Sequence, residues 1–95
     1  AAAQGLKIVE AKGCIACHSG DGSKKSGPSF KGIFGKTAHF VDGSSAVVDA
    51  AYIRESIEKP SLKVVKGYGP LMPSYEGMLD NDEITSVTAY IQALK

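Results

Sequence analysis

Residues 13–20 read "GCIACHSG", a stretch that holds both cysteines of the chain and one of its two histidines. Thiols with two residues between them close almost no loop, so a disulfide here would add little stability. Their purpose is therefore chemical, and three chemistries compete for them. A structural zinc site takes four ligands and draws on a second Cys or His pair, whereas only His39 remains elsewhere in the chain. A thioredoxin-like dithiol sits at a helix start after a strand, in a βαβ context; here a helical pattern precedes Cys14, and His18 would be incidental. The third chemistry is C-x-x-C-H as c-type haem attachment, which uses all three residues. Thiols at this spacing reach the two vinyl groups of one porphyrin and form thioethers. The adjacent His18 is then carried under the iron, where a ring nitrogen ligates it.

The totals agree with a chain built around a large bound group. At 95 residues a single domain over 1–95 is expected, burying only about 60–65% of its unfolded surface. There is no tryptophan, and the apolar share is a moderate 43%. Eleven basic and ten acidic side chains leave a net charge of +1, and no basic run longer than Lys24-Lys25 marks a nucleic-acid footprint. No stretch approaches the ~18 apolar residues of a membrane span, and no signal-peptide pattern opens the chain. The start "AAAQG" reads as a processed end or as a fragment excised from a larger membrane-anchored subunit. Membrane association is expected only through such an upstream anchor.

Along the chain, "AAAQGLKIVEAKG" predicts a first helix with Leu6, Ile8 and Val9 on an apolar stripe and Gly13 as its stop. Gly5 costs that helix roughly 1 kcal/mol against alanine, which asks for close helix contact as its reason. Residues 18–37 carry five glycines and Pro28, a loop too long for a compact domain unless it wraps something. "AHFVDGSSAVV" predicts a small hairpin around Asp42-Gly43. "DAAYIRESIEKP" predicts a second helix, capped by Asp49, ended by Pro60, with Tyr52, Ile53 and Ile57 on one face. A second irregular wrap spans 61–79. "DNDEITSVTAYIQALK" predicts the last helix, with Asp80 and Glu83 as a capping box and Ile84, Val87, Ile91 and Leu94 at helical spacing. The fold class is mainly α: three helices wrapped around a covalently bound haem, with a small β-hairpin.

An iron held only by His18 would bind small ligands, while a second strong ligand makes an electron carrier. The candidates are Met72, Met78 and His39. Met72 lies in "PLMPSY", where Pro70 and Pro73 stiffen an extended backbone, and is the expected ligand. Met78 precedes a capped helix and reads as a core filler. His39 reads as an exposed or propionate-side residue. A thioether is soft and neutral, so it raises the reduction potential relative to two histidines.

With these residues in place the chain resembles a class I c-type cytochrome over essentially its full length. The features are "CIACH" after a first helix, "GPSFKGIFG", a helix ending at Pro60, "MP", and a last helix with "AYI". It is most similar to the cytochrome c domain of subunit II of caa3-type haem–copper oxidases, through "GPSFKGIFGK", "YIRESI", "KVVKGY" and "MPSY" followed by "EITSVTAYI". The resemblance implies one haem c bound through Cys14 and Cys17, with His18 and Met72 on the iron. It also implies that the Pro28 carbonyl accepts a hydrogen bond from the outer nitrogen of His18. Gly27 would let its loop approach, Gly5 and Val9 would cross Val87 and Tyr90, and Phe30, Ile33, Ile53 and Ile57 would wall the pocket. Many relatives place a tryptophan and an arginine near a haem propionate. Here Val48 falls near the tryptophan's place and Lys36 near the arginine's, leaving Lys36 or Arg54 as propionate partners. The stretch "AHFVDGSSAVV" departs from mitochondrial cytochromes and fits the oxidase-domain group.

The function so implied is electron transfer without catalysis of its own. An electron would arrive from a redox protein donor and pass to the copper centre of a cytochrome c oxidase domain, on the periplasmic or outer face of the bacterial cytoplasmic membrane. A stand-alone cytochrome shuttle is the alternative. A haem sensor or peroxidase-like protein with a labile Met72, and a haem-free thiol–disulfide enzyme, complete the set.

Overall fold

The computed structural model describes residues 2–23, 25, 27–68 and 72–94. In chain order it has helix α1 (Ala2–Ala11), a short 3-10 turn (Cys14–Ala16), strands β1 (Thr37–His39) and β2 (Ser45–Val47), and helices α2 (Ala50–Glu58) and α3 (Asn81–Ala93). It is the mainly helical arrangement that the sequence predicts, with one two-stranded antiparallel sheet. Pro70 and Lys24 lie outside the described residues.

Local chemistry accounts for the helix boundaries. The Asp49 carboxylate accepts from the Tyr52 backbone N–H at 2.8 Å, satisfying a donor that the first turn of α2 leaves unpaired. Asp80 and Glu83 form a reciprocal capping box at the start of α3. Helix α1 ends at Ala11, and the chain turns at Gly13.

Helices α1 and α3 pack against each other through a seam that only a glycine permits. A Cβ on Gly5 would lie 2.0 Å from the Ser86 carbonyl oxygen and 2.7 Å from Tyr90 Cβ. Gly5 therefore offsets its helix cost by close approach. Val9, Ile84, Val87 and Ile91 are buried in the same core. Leu6, expected on the apolar stripe, is 41% exposed instead. The contact face of α1 is centred on Gly5 and Val9, four residues apart, which puts Leu6 on its flank.

The hairpin pairs Thr37 with Val47, Ala38 with Ala46 and His39 with Ser45. Its turn is held by Asp42, whose carboxylate accepts from both the backbone N–H and the hydroxyl of Ser44. The second wrap then joins the hairpin, a link the sequence pattern did not show. Phe40 bridges to Val65, the Val41 N–H donates to the Val64 carbonyl at 2.9 Å, and the Lys66 N–H donates to the His39 carbonyl at 2.8 Å.

Candidate functional site

The 3-10 turn brings Cys14, Cys17 and His18 to the wall of one cavity, with Cys14 and His18 half-buried and Cys17 at the exposed rim. The His18 N–H donates to the Cys14 carbonyl at 3.0 Å, continuing the turn. The first wrap returns over it: Gly27 N–H donates to the Cys17 carbonyl at 2.9 Å and Phe30 N–H to the Ser19 carbonyl at 2.8 Å. This brings Pro28 to His18, whose Nδ1 and the Pro28 carbonyl oxygen lie 2.7 Å apart. With the proton on Nδ1, the other ring nitrogen, Nε2, is an acceptor. Phe30 stacks on the imidazole at 4.7 Å between ring centres, fixing the plane of the ring. The wrap can pass so close only because residue 27 lacks a side chain. A Cβ there would lie 2.5 Å from His18 Cε1.

Electrostatics support a metal ligand and oppose a redox dithiol. Burial lowers the His18 pKa, with the Pro28 carbonyl working against it, so the neutral, ligating form of imidazole is favoured. Burial pushes the Cys14 thiol up, with the Cys17 charge adding to it against a backbone hydrogen bond. A reactive dithiol requires the opposite shift. Among the described residues no three His, Cys, Asp or Glu side chains converge as a metal site.

These residues open onto an apolar cavity of about 180 Å³ that Met72 also lines. By the volume one water needs, it has room for roughly a dozen, yet its walls offer such waters few polar partners. Phe30, Ile33, Ile53 and Ile57 are all on the wall, as the sequence predicts. Met72 is half-buried there, whereas Met78 is 56% exposed and does not line the cavity. The packing role expected of Met78 is thus corrected: Gly77 turns the chain at φ +77 and leaves Leu79 as the buried member of that segment. A neighbouring cavity of about 640 Å³ shares Pro28, Ile33, Val48, Tyr52 and Val65 with the first, and its basic lining residues are Lys36, His39 and Lys66. Among the described residues no carboxylate lines it. Arg54 lines neither cavity; its guanidinium donates to Asn81 at 2.9 Å and reaches Glu58 at 3.4 Å.

A family model for cytochrome c matches residues 2–95. The chain belongs to the cytochrome c family. It is also similar to cytochrome c6 of Euglena gracilis, at 36% identity over 83 residues, covering 87% of this chain and 82% of that protein. The cofactor of this cytochrome c is one covalently bound haem c, and its activity is haem-based electron transfer with a redox partner. The structure's own features fit such a group: two free thiols, an imidazole oriented by Pro28 and closely packed by Gly27, and an apolar cavity wall.

Sequence reasoning missed Tyr75, which also lines the cavity. Its hydroxyl donates to the Lys12 carbonyl at 2.7 Å, across 63 positions of sequence. Burial first, and the Cys14 and Cys17 charges second, push this hydroxyl above the ordinary tyrosine range, so it remains a donor at neutral pH. No local pattern could have shown a contact at that separation.

Proposed function

We propose that this domain carries one electron at a time through a haem c tied to Cys14 and Cys17, with His18 Nε2 and the Met72 sulfur as axial ligands. The observation that carries the reading is the hydrogen bond from His18 Nδ1 to the Pro28 carbonyl, which leaves Nε2 as the ligating atom in a cavity that Met72 shares. When bound, the haem iron supplies the one-electron couple. The chain's residues do the rest: Pro28 and Phe30 hold the imidazole still, the apolar wall excludes water, and a neutral thioether favours the reduced state. With both axial positions filled by protein, no site is left for substrate. The haem would bring two carboxylates with it. Lys36 and Lys66, which line the neighbouring cavity, would supply positive charge for them in place of the tryptophan and arginine of many relatives.

The acceptor we infer is the copper centre of a cytochrome c oxidase, with this domain covalently part of subunit II of a caa3-type enzyme and working on the outer face of a bacterial cytoplasmic membrane. The strings "GPSFKGIFGK", "YIRESI" and "KVVKGY" and the hairpin at 37–47 support it. With a net charge of +1, docking rests on the surface around exposed Cys17 and Ile15 more than on long-range attraction. A second reading, a small diffusing shuttle, is favoured by the likeness to cytochrome c6 over most of that protein's length.

Stopped-flow mixing of the reduced protein with a soluble copper domain of an oxidase distinguishes the two. Rapid oxidation that changes little with ionic strength is expected. A copper domain that leaves the protein reduced, or a rate that collapses as salt rises, would remove the oxidase reading. Rapid carbon monoxide binding to the ferrous protein at neutral pH would remove electron transfer through a six-coordinate iron.

A further inference from the structure

Tyr75 sits three residues after Met72, and its two ends are fastened to different helices. Its backbone N–H donates to the Ile57 carbonyl in the last turn of α2 at 2.8 Å. Next to it the Ser74 hydroxyl donates to the Glu58 carbonyl at 2.6 Å. Its side chain runs the other way, to the Lys12 carbonyl at 2.7 Å. Lys12 follows the last residue of α1, where helical carbonyls have no donor within the helix, and stands two residues before Cys14. The hydroxyl therefore ties the segment that carries Met72 to the root of the segment that carries Cys14, Cys17 and His18.

We propose that Tyr75 is a positioning residue: its hydroxyl latches the Met72 segment to the end of α1 and sets how firmly the Met72 sulfur holds the sixth position on the iron. The proposal rests on the reading of Met72 as axial ligand. Displacing the sulfur requires the 72–78 segment to swing outward. With the latch made, that motion breaks the bond to Lys12, while the anchors on α2 can act as the pivot. Phenylalanine at 75 keeps the ring against the cavity and removes only the latch.

The test is a titration of the ferric holoprotein with imidazole, which competes for the sixth position, followed in every protein through the Soret band and, where Met72 is present, also through loss of the weak near-infrared band of thioether-ligated ferric iron. Four proteins are compared: the parent, Tyr75→Phe, Met72→Ala and the double variant. Tyr75→Phe is expected to bind imidazole about fivefold more tightly than the parent, the factor one neutral hydrogen bond supplies. In the Met72→Ala background the same change is expected to have no effect, because nothing remains for the latch to hold. Unchanged imidazole affinity in Tyr75→Phe, even with a lowered melting temperature, would overturn the latch while leaving Met72 as ligand. An equal gain in both backgrounds would overturn it too, placing Tyr75 at the entry to the cavity. A Met72→Ala protein that keeps the near-infrared band would end the Met72 reading and the latch together.

Discussion

Replacing Gly5 with alanine should destabilise this protein, although the same change in most helices stabilises it. The new Cβ would lie 2.0 Å from the Ser86 carbonyl oxygen, and ordinary contact begins near 3.4 Å, so the helices must part by about 1.4 Å. No rotamer relieves the contact, because a Cβ cannot rotate away and its neighbour is backbone. A gap of 0.5–1 Å already forfeits a quarter to a half of each van der Waals contact. Val9, Val87 and Ile91 are buried in this core, each worth about 1.5–3 kcal/mol. Losing a third to a half of their packing costs about 3 kcal/mol, and the better helix propensity of alanine returns about 1 kcal/mol. The net of about 2 kcal/mol corresponds to a fall in Tm of about 8–16 °C for a domain of this size. Thermal unfolding of the ferric holoprotein, followed by far-ultraviolet circular dichroism, reads it directly. A Tm equal to the parent's or higher would refute the close-packed seam.

Removing the haem should leave a chain that does not hold this fold. Without the haem the apolar walls of the cavity, Phe30, Ile33, Ile53 and Ile57 among them, lose the group they pack against, a large loss for a domain with little stability to spare; native-like near-ultraviolet dichroism in a Cys14→Ala, Cys17→Ala protein without haem would contradict this. Lys36→Met and Lys66→Met should each lower the midpoint potential, and the pair should lower it further, since positive charge near the iron favours the reduced state; unchanged potentials would move the haem carboxylates away from the hairpin. The Asp42 carboxyl is held below the ordinary range by the Ser44 hydroxyl first and the Ser44 backbone N–H second. Its folded value being depressed, its stabilisation of the turn is complete above about pH 3.9 and is lost as the pH falls through that lower value. In Ser44→Ala, a carboxyl titration by NMR should move upward, and no movement would mean that the hydroxyl does not hold the turn.

What the sequence revealed of this molecule was whatever is encoded within a few residues. Asp49, Asp80 and Glu83 cap their helices because an N-terminal donor lies three positions from its acceptor. The thiols and the imidazole declare themselves because covalent reach forces them together. Gly5 stood out because its cost needed a reason, and the structure supplies it in Ser86 and Tyr90. Side chains whose direction depends on a distant partner were not legible. Leu6 and Met78 are apolar yet face outward. Arg54 is drawn to Asn81, 27 positions away, and the stitching of Val65 to Phe40 requires the second wrap to pass the hairpin. Of the candidate site, the proximal half was readable from "CIACH" and "GP". Lys66, which joins Lys36 and His39 on the neighbouring cavity, and the Tyr75 hydroxyl needed the fold.

The seam between α1 and α3 has a consequence for the order of events as the polypeptide is made. Gly5 and Ser86 stand 81 positions apart, so the contact that closes the domain cannot form until nearly the whole chain is available. Closing so long a loop is also the slow, entropically costly event of folding. Until then Cys14 and Cys17 lie on a chain whose two ends have not met. Only the arrival of the last helix, which brings Val87 and Ile91 to the wall, completes the shell around the apolar cavity.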